Sequence, residues 1–88
     1  MYRVHLTKRA ERGLERIHEA DHRAYERLKA AVVSLSSSPR PPGAIKLKGL
    51  SPPAWRLRVG EYRIVYEIDD DELVVIALNV APRGEVYR

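Results

Sequence analysis

The chain has 88 residues, with 16 basic side chains, 12 acidic side chains and no cysteine. This length predicts a single domain spanning residues 1–88, and the lack of cysteine excludes disulfide bonds and thiolate metal sites. No apolar run is long enough for a signal peptide or a membrane span, so we expect a cytoplasmic protein; the formal net charge of +4 favours an acidic partner such as nucleic acid.

The first 35 residues predict a strand followed by two helices. Residues 2–6 alternate in the way that is typical of a short strand. Thr7 and Asp21 each precede a segment with helical periodicity and are suitable N-caps. The two apolar stripes are Ala10, Leu14 and Ile17, and then Tyr25, Leu28, Val32 and Leu35. They predict an αα-hairpin on a sheet, in which Gly13 weakens the first helix by about 1 kcal/mol relative to alanine.

Residues 36–43, with the sequence SSSPRPPG, end the helical half because proline and glycine interrupt regular structure. Residues 44–50 predict a short extended or turn segment. From Ala54 the period changes to two, and Gly60 and Glu61 fit the two-residue turn of a type II′ hairpin. The second half of the chain therefore begins with a β-hairpin.

Residues 72–81 form a long apolar run, which is typical of a strand buried on both faces. Pro82 breaks this run, and residues 85–87 allow a short last strand. The order of elements predicts an α+β protein with a βααβββ(β) topology. In it, a twisted antiparallel sheet carries the N-terminal helical hairpin on one face.

The hairpin concentrates positive charge on one face. If Gly60 and Glu61 make the turn, Arg58 lies directly opposite Arg63, and Arg56 shares their face, while the alternating apolar side chains face the core. Like charges in directly opposed positions destabilise a strand pair. Three guanidinium groups on a rigid sheet form a good phosphate clamp; the alternative is an ordinary solvated face.

Other candidates flank the hairpin. Lys46 and Lys48 precede it and are candidate RNA-backbone contacts; the alternative is a role in solubility. Arg83 follows the long apolar strand, and Tyr87 provides a phenol for base stacking or acid–base chemistry, or packs as a terminal side chain. The three histidines are scattered, and we expect neither a metal site nor a cofactor.

The sequence resembles the RelE/ParE superfamily of toxins from type II toxin–antitoxin systems, and in particular its RelE-like branch. The similar segments are residues 38–43 (SPRPPG), 46–50 (KLKGL), 55–68 (WRLRVGEYRIVYEI) and 83–88 (RGEVYR). The resemblance implies a single RelE-like toxin domain and a cognate antitoxin, through which alone it would contact operator DNA. It also implies metal-independent cleavage of mRNA in the ribosomal A site, and no membrane partner.

By matched position, the resemblance assigns catalytic roles to Arg56, Arg58, Arg63, Arg83 and Tyr87. It implies that Arg63 and Arg83 hold the scissile phosphate, that Arg56 and Arg58 stabilise charge, and that Tyr87 stacks on the base or acts as general base. Many relatives have a histidine where this chain has Pro82. Two alternatives remain: a ParE-like toxin that inhibits DNA gyrase without chemistry, and a non-catalytic nucleic-acid-binding module.

Overall fold

The computed structural model describes residues 1–49 and 51–84, and it has two helices packed on one face of a five-stranded sheet. The elements in chain order are β1 (Arg3–Leu6), α1 (Lys8–Ala20), α2 (His22–Ser34), β2 (Ile45–Lys46), β3 (Trp55–Val59), β4 (Tyr62–Asp69) and β5 (Val74–Pro82). The predicted α+β class and order of elements are confirmed. The last predicted strand, at residues 85–87, lies outside the described residues.

The strand order across the sheet is β1-β5-β4-β3-β2. Strands β2, β3, β4 and β5 pair antiparallel with their neighbours, whereas β1 pairs parallel with β5. The predicted antiparallel sheet is thus confirmed for β2 to β5, and β1 departs from it. Two helices separate β1 from the rest of the sheet, and such a long crossover permits a strand to enter parallel to its neighbour.

Both helices begin at the predicted caps. The Thr7 hydroxyl accepts a hydrogen bond from the Ala10 amide at 3.2 Å, and an Asp21 carboxylate oxygen accepts one from the Ala24 amide at 3.1 Å. Each bond satisfies an amide that would otherwise lack a partner in the first helical turn. Asp21 also ends α1, so a single residue turns the chain from one helix into the next.

The core lies between the helical hairpin and the central strands. The predicted stripes are confirmed, except that Tyr25 is only half-buried and packs its ring 4.4 Å from that of His18. Tyr66 of β4 is fully buried, and its hydroxyl donates to the Pro39 carbonyl at 2.8 Å. Burial raises the pKa of Tyr66 to about 12, so this phenol remains a neutral donor at physiological pH.

Strand β5 is less buried than its sequence predicts. Val75 and Ala77 are buried against the helices, but Val74 and Ile76, which alternate with them, are only half-buried. The face opposite the helices carries no second layer of structure within the described residues. The prediction of burial on both faces was therefore wrong for this half of β5, although the face stays apolar there.

The connection between α2 and β2 is fastened to the sheet by a polar network. The Arg40 guanidinium pairs with the Asp70 carboxylate at 2.8 Å, and the Tyr2 hydroxyl donates to the same carboxylate at 2.6 Å. Arg40 also lies 5.3 Å from the centre of the Trp55 ring. The hydrogen bonds from Arg40 and Tyr2 lower the pKa of Asp70.

Because the folded-state pKa of Asp70 is depressed, its contribution to stability is present above the ordinary aspartate pKa of about 4 and is lost as the pH falls through the folded value. Asp70→Asn should therefore lower the melting temperature at pH 6 and have a progressively smaller effect towards pH 3. Asp71→Asn, at the exposed neighbouring position, is the matched control. Equal losses at pH 6 and pH 3 would contradict the ion-pair explanation.

Gly13 permits close contact between α1 and β5. Strand β1 ends opposite Ala77, so the following residues of β5 present a free strand edge, and α1 lies against it. A Cβ atom built on Gly13 would overlap the carbonyl oxygen of Val80. The glycine that weakens the helix on its own is thus required by packing.

Gly13→Ala should lower the free energy of unfolding. The gain of about 1 kcal/mol in helix propensity is opposed by overpacking that typically costs about 1–3 kcal/mol, and backbone atoms of a paired strand yield little. We expect a net loss of about 1–2 kcal/mol, measured by urea denaturation. Glu15→Ala, on the exposed side of α1, is the control; unchanged or raised stability in Gly13→Ala would show that α1 can move away from β5.

Candidate nucleic-acid site

The hairpin of β3 and β4 has the predicted register. Val59 pairs with Tyr62, and Arg58 pairs with Arg63. Gly60, the first residue of the turn, has a φ of +61°, which glycine adopts without strain and which a type II′ turn requires at this position. The turn therefore fixes Arg58 and Arg63 directly opposite each other.

Alternation along the strands separates the core from the charged face. Leu57 and Ile64 form an opposed pair on the helix-covered face, so Arg56, Arg58 and Arg63 lie on the open face of the sheet. Arg56 pairs with Val65, which is only 5% exposed. Arg56 therefore lies beside a buried apolar side chain.

Arg83 reaches the same place from β5. Pro82, the last residue of that strand, pairs with Tyr62, and the Arg83 amide donates to the Glu61 carbonyl at 2.8 Å. The end of β5 is thereby fastened to the hairpin turn. Arg56, Arg58, Arg63 and Arg83, which the sequence predicted, form what we call the arginine cluster.

The members of the arginine cluster affect one another electrostatically. The positive charge of Arg83 lowers the pKa of the Arg58 guanidinium, and desolvation, Arg56 and Arg63 lower it further; only Glu61 acts in the opposite direction. Four positive charges are therefore close enough for each added cation to disfavour the next. An anion that binds among them would relieve this repulsion.

Protein carboxylates do not neutralise the cluster in full. The side chains of Arg56, Arg58 and Arg83 form no ion pair within residues 1–49 and 51–84, and Glu67 lies farther along the same face. The Nε atom of Arg56 is buried without a hydrogen-bond partner in the same part of the chain. Guanidinium donors in this state are suited to a phosphate, which accepts several hydrogen bonds at once.

The remaining predicted residues are not part of the cluster as described. Lys46 pairs with Trp55, which places its side chain on the helix-covered face, near Arg40 and away from Arg56. Lys48 is exposed in the turn that follows β2. Tyr87 lies outside the described residues.

Two neighbours of the cluster escaped sequence reasoning. Arg27 of α2 extends to the hairpin turn, where a Cβ built on Gly60 would lie 3.2 Å from its Nη2 atom. Asn79 of β5 pairs with Val65 and is only 6% exposed. A polar residue inside an apolar run was a usable signal for Asn79, whereas no local pattern marks Arg27.

The described residues contain no group of three or more potential metal ligands. Both helices are too short and too polar to traverse a lipid bilayer. The charged side chains that the arginine cluster presents are guanidinium groups, which bind anions and stabilise negative charge.

The fold and a matching family model together define a toxin of the RelE/ParE superfamily from type II toxin–antitoxin systems. Residues 4–87 match the family model described as "ParE toxin of type II toxin-antitoxin system, parDE", and the chain belongs to this family. No match was found among curated proteins.

Solved structures agree with this assignment. The archaeal RelE–RelB complex from Pyrococcus horikoshii contains a chain with 29% identity and a TM-score of 0.78, covering 97% of this chain and 98% of that one. The isolated RelE toxin of E. coli has 25% identity and a TM-score of 0.78, covering 98% and 88%. The RelBE2 toxin–antitoxin complex of Mycobacterium tuberculosis has 30% identity and a TM-score of 0.65, covering 93% and 98%.

Replacing Arg58 by glutamine should raise the melting temperature, because it removes one of two like charges held in direct opposition. The gain should shrink as salt is added, since screening weakens the same repulsion in the wild type. Arg12→Gln, on the exposed side of α1, is the charge-matched control. A gain that is equal in low and high salt, or equal in the control, would contradict the electrostatic explanation.

Proposed function

We propose that this toxin is a metal-independent endoribonuclease that cleaves mRNA in the ribosomal A site and thereby inhibits translation. The observation that carries the proposal is the arginine cluster, in which three guanidinium groups from strands β3 and β4 and a fourth from the turn after β5 lie close together. RNA cleavage at a phosphate needs charge stabilisation by preorganised donors, and rigid strands hold such donors better than loops.

In the proposed reaction, the ribose 2′-oxygen attacks the adjacent phosphorus and the bond to the 5′-oxygen breaks. The products are a 2′,3′-cyclic phosphate and a free 5′-hydroxyl; one proton leaves the 2′-hydroxyl and one is delivered to the 5′-oxygen. Arg63 and Arg83 hold the scissile phosphate, and Arg56 and Arg58 stabilise the charge that develops on it. Tyr87 is proposed to stack on the base or to accept the 2′-proton.

The proton donor for the leaving group is not one of the arginines in this proposal. Although its neighbours lower the pKa of Arg58, which is the direction that a proton donor needs, a bound phosphate would raise it again. A guanidinium group also holds its proton strongly, which makes it a weak acid. Arg58 is therefore assigned to charge stabilisation.

We further propose that a cognate antitoxin binds this toxin and that operator DNA is contacted only through it. Support comes from the RelE–RelB complex of P. horikoshii and the RelBE2 complex of M. tuberculosis, whose toxin chains this protein resembles along nearly their whole length. An acidic partner is also suited to the uncompensated charge of the arginine cluster. The ribosome and mRNA are the proposed targets of the free toxin.

A second candidate is inhibition of DNA gyrase without catalysis. The matching family model, named for ParE, favours it, and Pro82 supplies no group that titrates near neutral pH, where many RelE-like relatives have a histidine. The complete set of Arg56, Arg58, Arg63 and Arg83 favours the ribonuclease, because ParE-like members tend to lack the full basic set. A non-catalytic nucleic-acid-binding module would keep the cluster without producing cleavage.

Brief expression of the wild type without antitoxin should produce discrete cuts within translated codons, mapped by primer extension. Arg63→Ala should abolish them, because loss of one phosphate-stabilising donor typically lowers the rate about 10²-fold or more. Arg12→Ala, which removes an arginine from the exposed side of α1, should cut as the wild type does.

Growth arrest with intact mRNA would overturn the ribonuclease proposal and support gyrase inhibition, which a supercoiling assay on the purified toxin would then measure. If expression caused no growth arrest and no cuts, and the protein still bound RNA, the result would support the non-catalytic module. Cuts that persist in Arg63→Ala would be consistent with the ribonuclease proposal but would contradict the role assigned to Arg63 in holding the scissile phosphate.

A further inference from the structure

A second cationic site lies beside β5, across the edge of the sheet from the arginine cluster. Between α1 and the C-terminal half of β5 there is a cleft of about 360 Å³, which we call the α1–β5 cleft. Its apolar wall includes Ile17 and Val80, and its arginines are Arg9 and Arg16, seven residues apart on α1. The cleft exists because β1 ends at Leu6, so that a helix and not a strand neighbours this part of β5.

The charge in the cleft is of one sign. No acidic residue lines it, and the side chains of Arg9 and Arg16 form no ion pair in the described part of the chain. Both side chains are exposed and are therefore accessible to a ligand. Such a site attracts a polyanion or an acidic segment of another protein.

The cleft and the arginine cluster meet at one edge of the sheet. Tyr62 lines the cleft, and the next residue, Arg63, belongs to the cluster; Pro82 lines the cleft, and Arg83 follows it. Among residues 1–49 and 51–84, only β5 separates the two sites, because no described strand lies outside it beyond Leu6. RNA that crossed this edge from the cluster would reach the cleft.

The dimensions favour RNA over a helix of a partner protein. A volume near 360 Å³ is at the lower end of the range for small-ligand sites, about 300–1,000 Å³. A helix of about 10–12 Å diameter would lie mostly outside such a space, whereas one nucleotide fits within it. Tyr62 adds a half-buried aromatic ring for stacking beside the two phosphate-binding arginines.

We infer that the α1–β5 cleft is an accessory RNA subsite, in which Arg9 and Arg16 hold the backbone of the substrate RNA beyond the scissile phosphate. The inference rests on the proposed ribonuclease function and extends it from a single phosphate to a path around the edge of the sheet. The cleft contributes binding and orientation, and it is separate from the groups that act on the scissile bond.

The test measures how affinity depends on RNA length. Oligonucleotides of about four and about ten residues, both within the span that such grooves engage, are made with 2′-O-methyl ribose, which lacks the attacking hydroxyl. Fluorescence anisotropy then reports their binding to the purified full-length chain. The wild type should bind the longer RNA about tenfold more tightly, with a steeper salt dependence.

The double variant Arg9→Gln with Arg16→Gln should lose that tenfold advantage while binding the short RNA as the wild type does. Arg12→Gln with Arg23→Gln, which changes net charge equally outside the cleft, should keep it. Thermal unfolding monitored by circular dichroism verifies that both variants are folded. The inferred subsite would be overturned if the first variant kept the whole preference for the longer RNA. It would also be overturned if the second variant lost that preference to the same extent as the first.

Loss of binding to an acidic partner protein, with the RNA length advantage unchanged, would also overturn the inference and assign the cleft to protein recognition. Failure of the proposed function looks different. In that case the wild type binds neither oligonucleotide and leaves cellular mRNA intact, whereas failure of the subsite alone leaves binding of the short RNA in place.

Discussion

The opposition of Arg58 and Arg63 across the hairpin is the constraint on which the site depends. Left to electrostatics, these side chains would separate. They cannot, because the residues that alternate with them, such as Leu57 and Ile64, are fixed in the core beneath the helices. The hydrophobic face thus holds the charged face in an unfavourable arrangement that a bound anion relieves, as is common for functional sites.

Much of this arrangement could be predicted from the sequence, because local rules determine it. A two-residue turn with glycine in first position fixes the hairpin register, and period two then assigns each side chain to a face. Thr7 and Asp21 determine the starts of the helices through their own side chains. In each case, the information lies within a few residues of the feature.

The features that escaped prediction depend on contacts between distant segments. The parallel entry of β1 follows from the path of the helical hairpin over the sheet, which no strand pattern encodes. Lys46 lies on the face opposite Arg56 because β2 pairs with β3 in a register that the intervening loop does not reveal. Arg27 and Gly13 gain their roles only from the docking of α2 on the hairpin turn and of α1 on β5.

The fold alone does not separate a ribonuclease from a gyrase inhibitor, since one scaffold supports several functions. The difference must lie in the site, and here Pro82 is informative. It ends β5 and pairs with Tyr62, while the next amide, that of Arg83, bonds to the Glu61 carbonyl. Pro82 therefore supplies no titratable side chain, while the residue after it is held at the hairpin turn. What remains in the described part of the site is a cluster of guanidinium groups, which is suited to the binding and stabilisation of phosphate rather than to proton transfer.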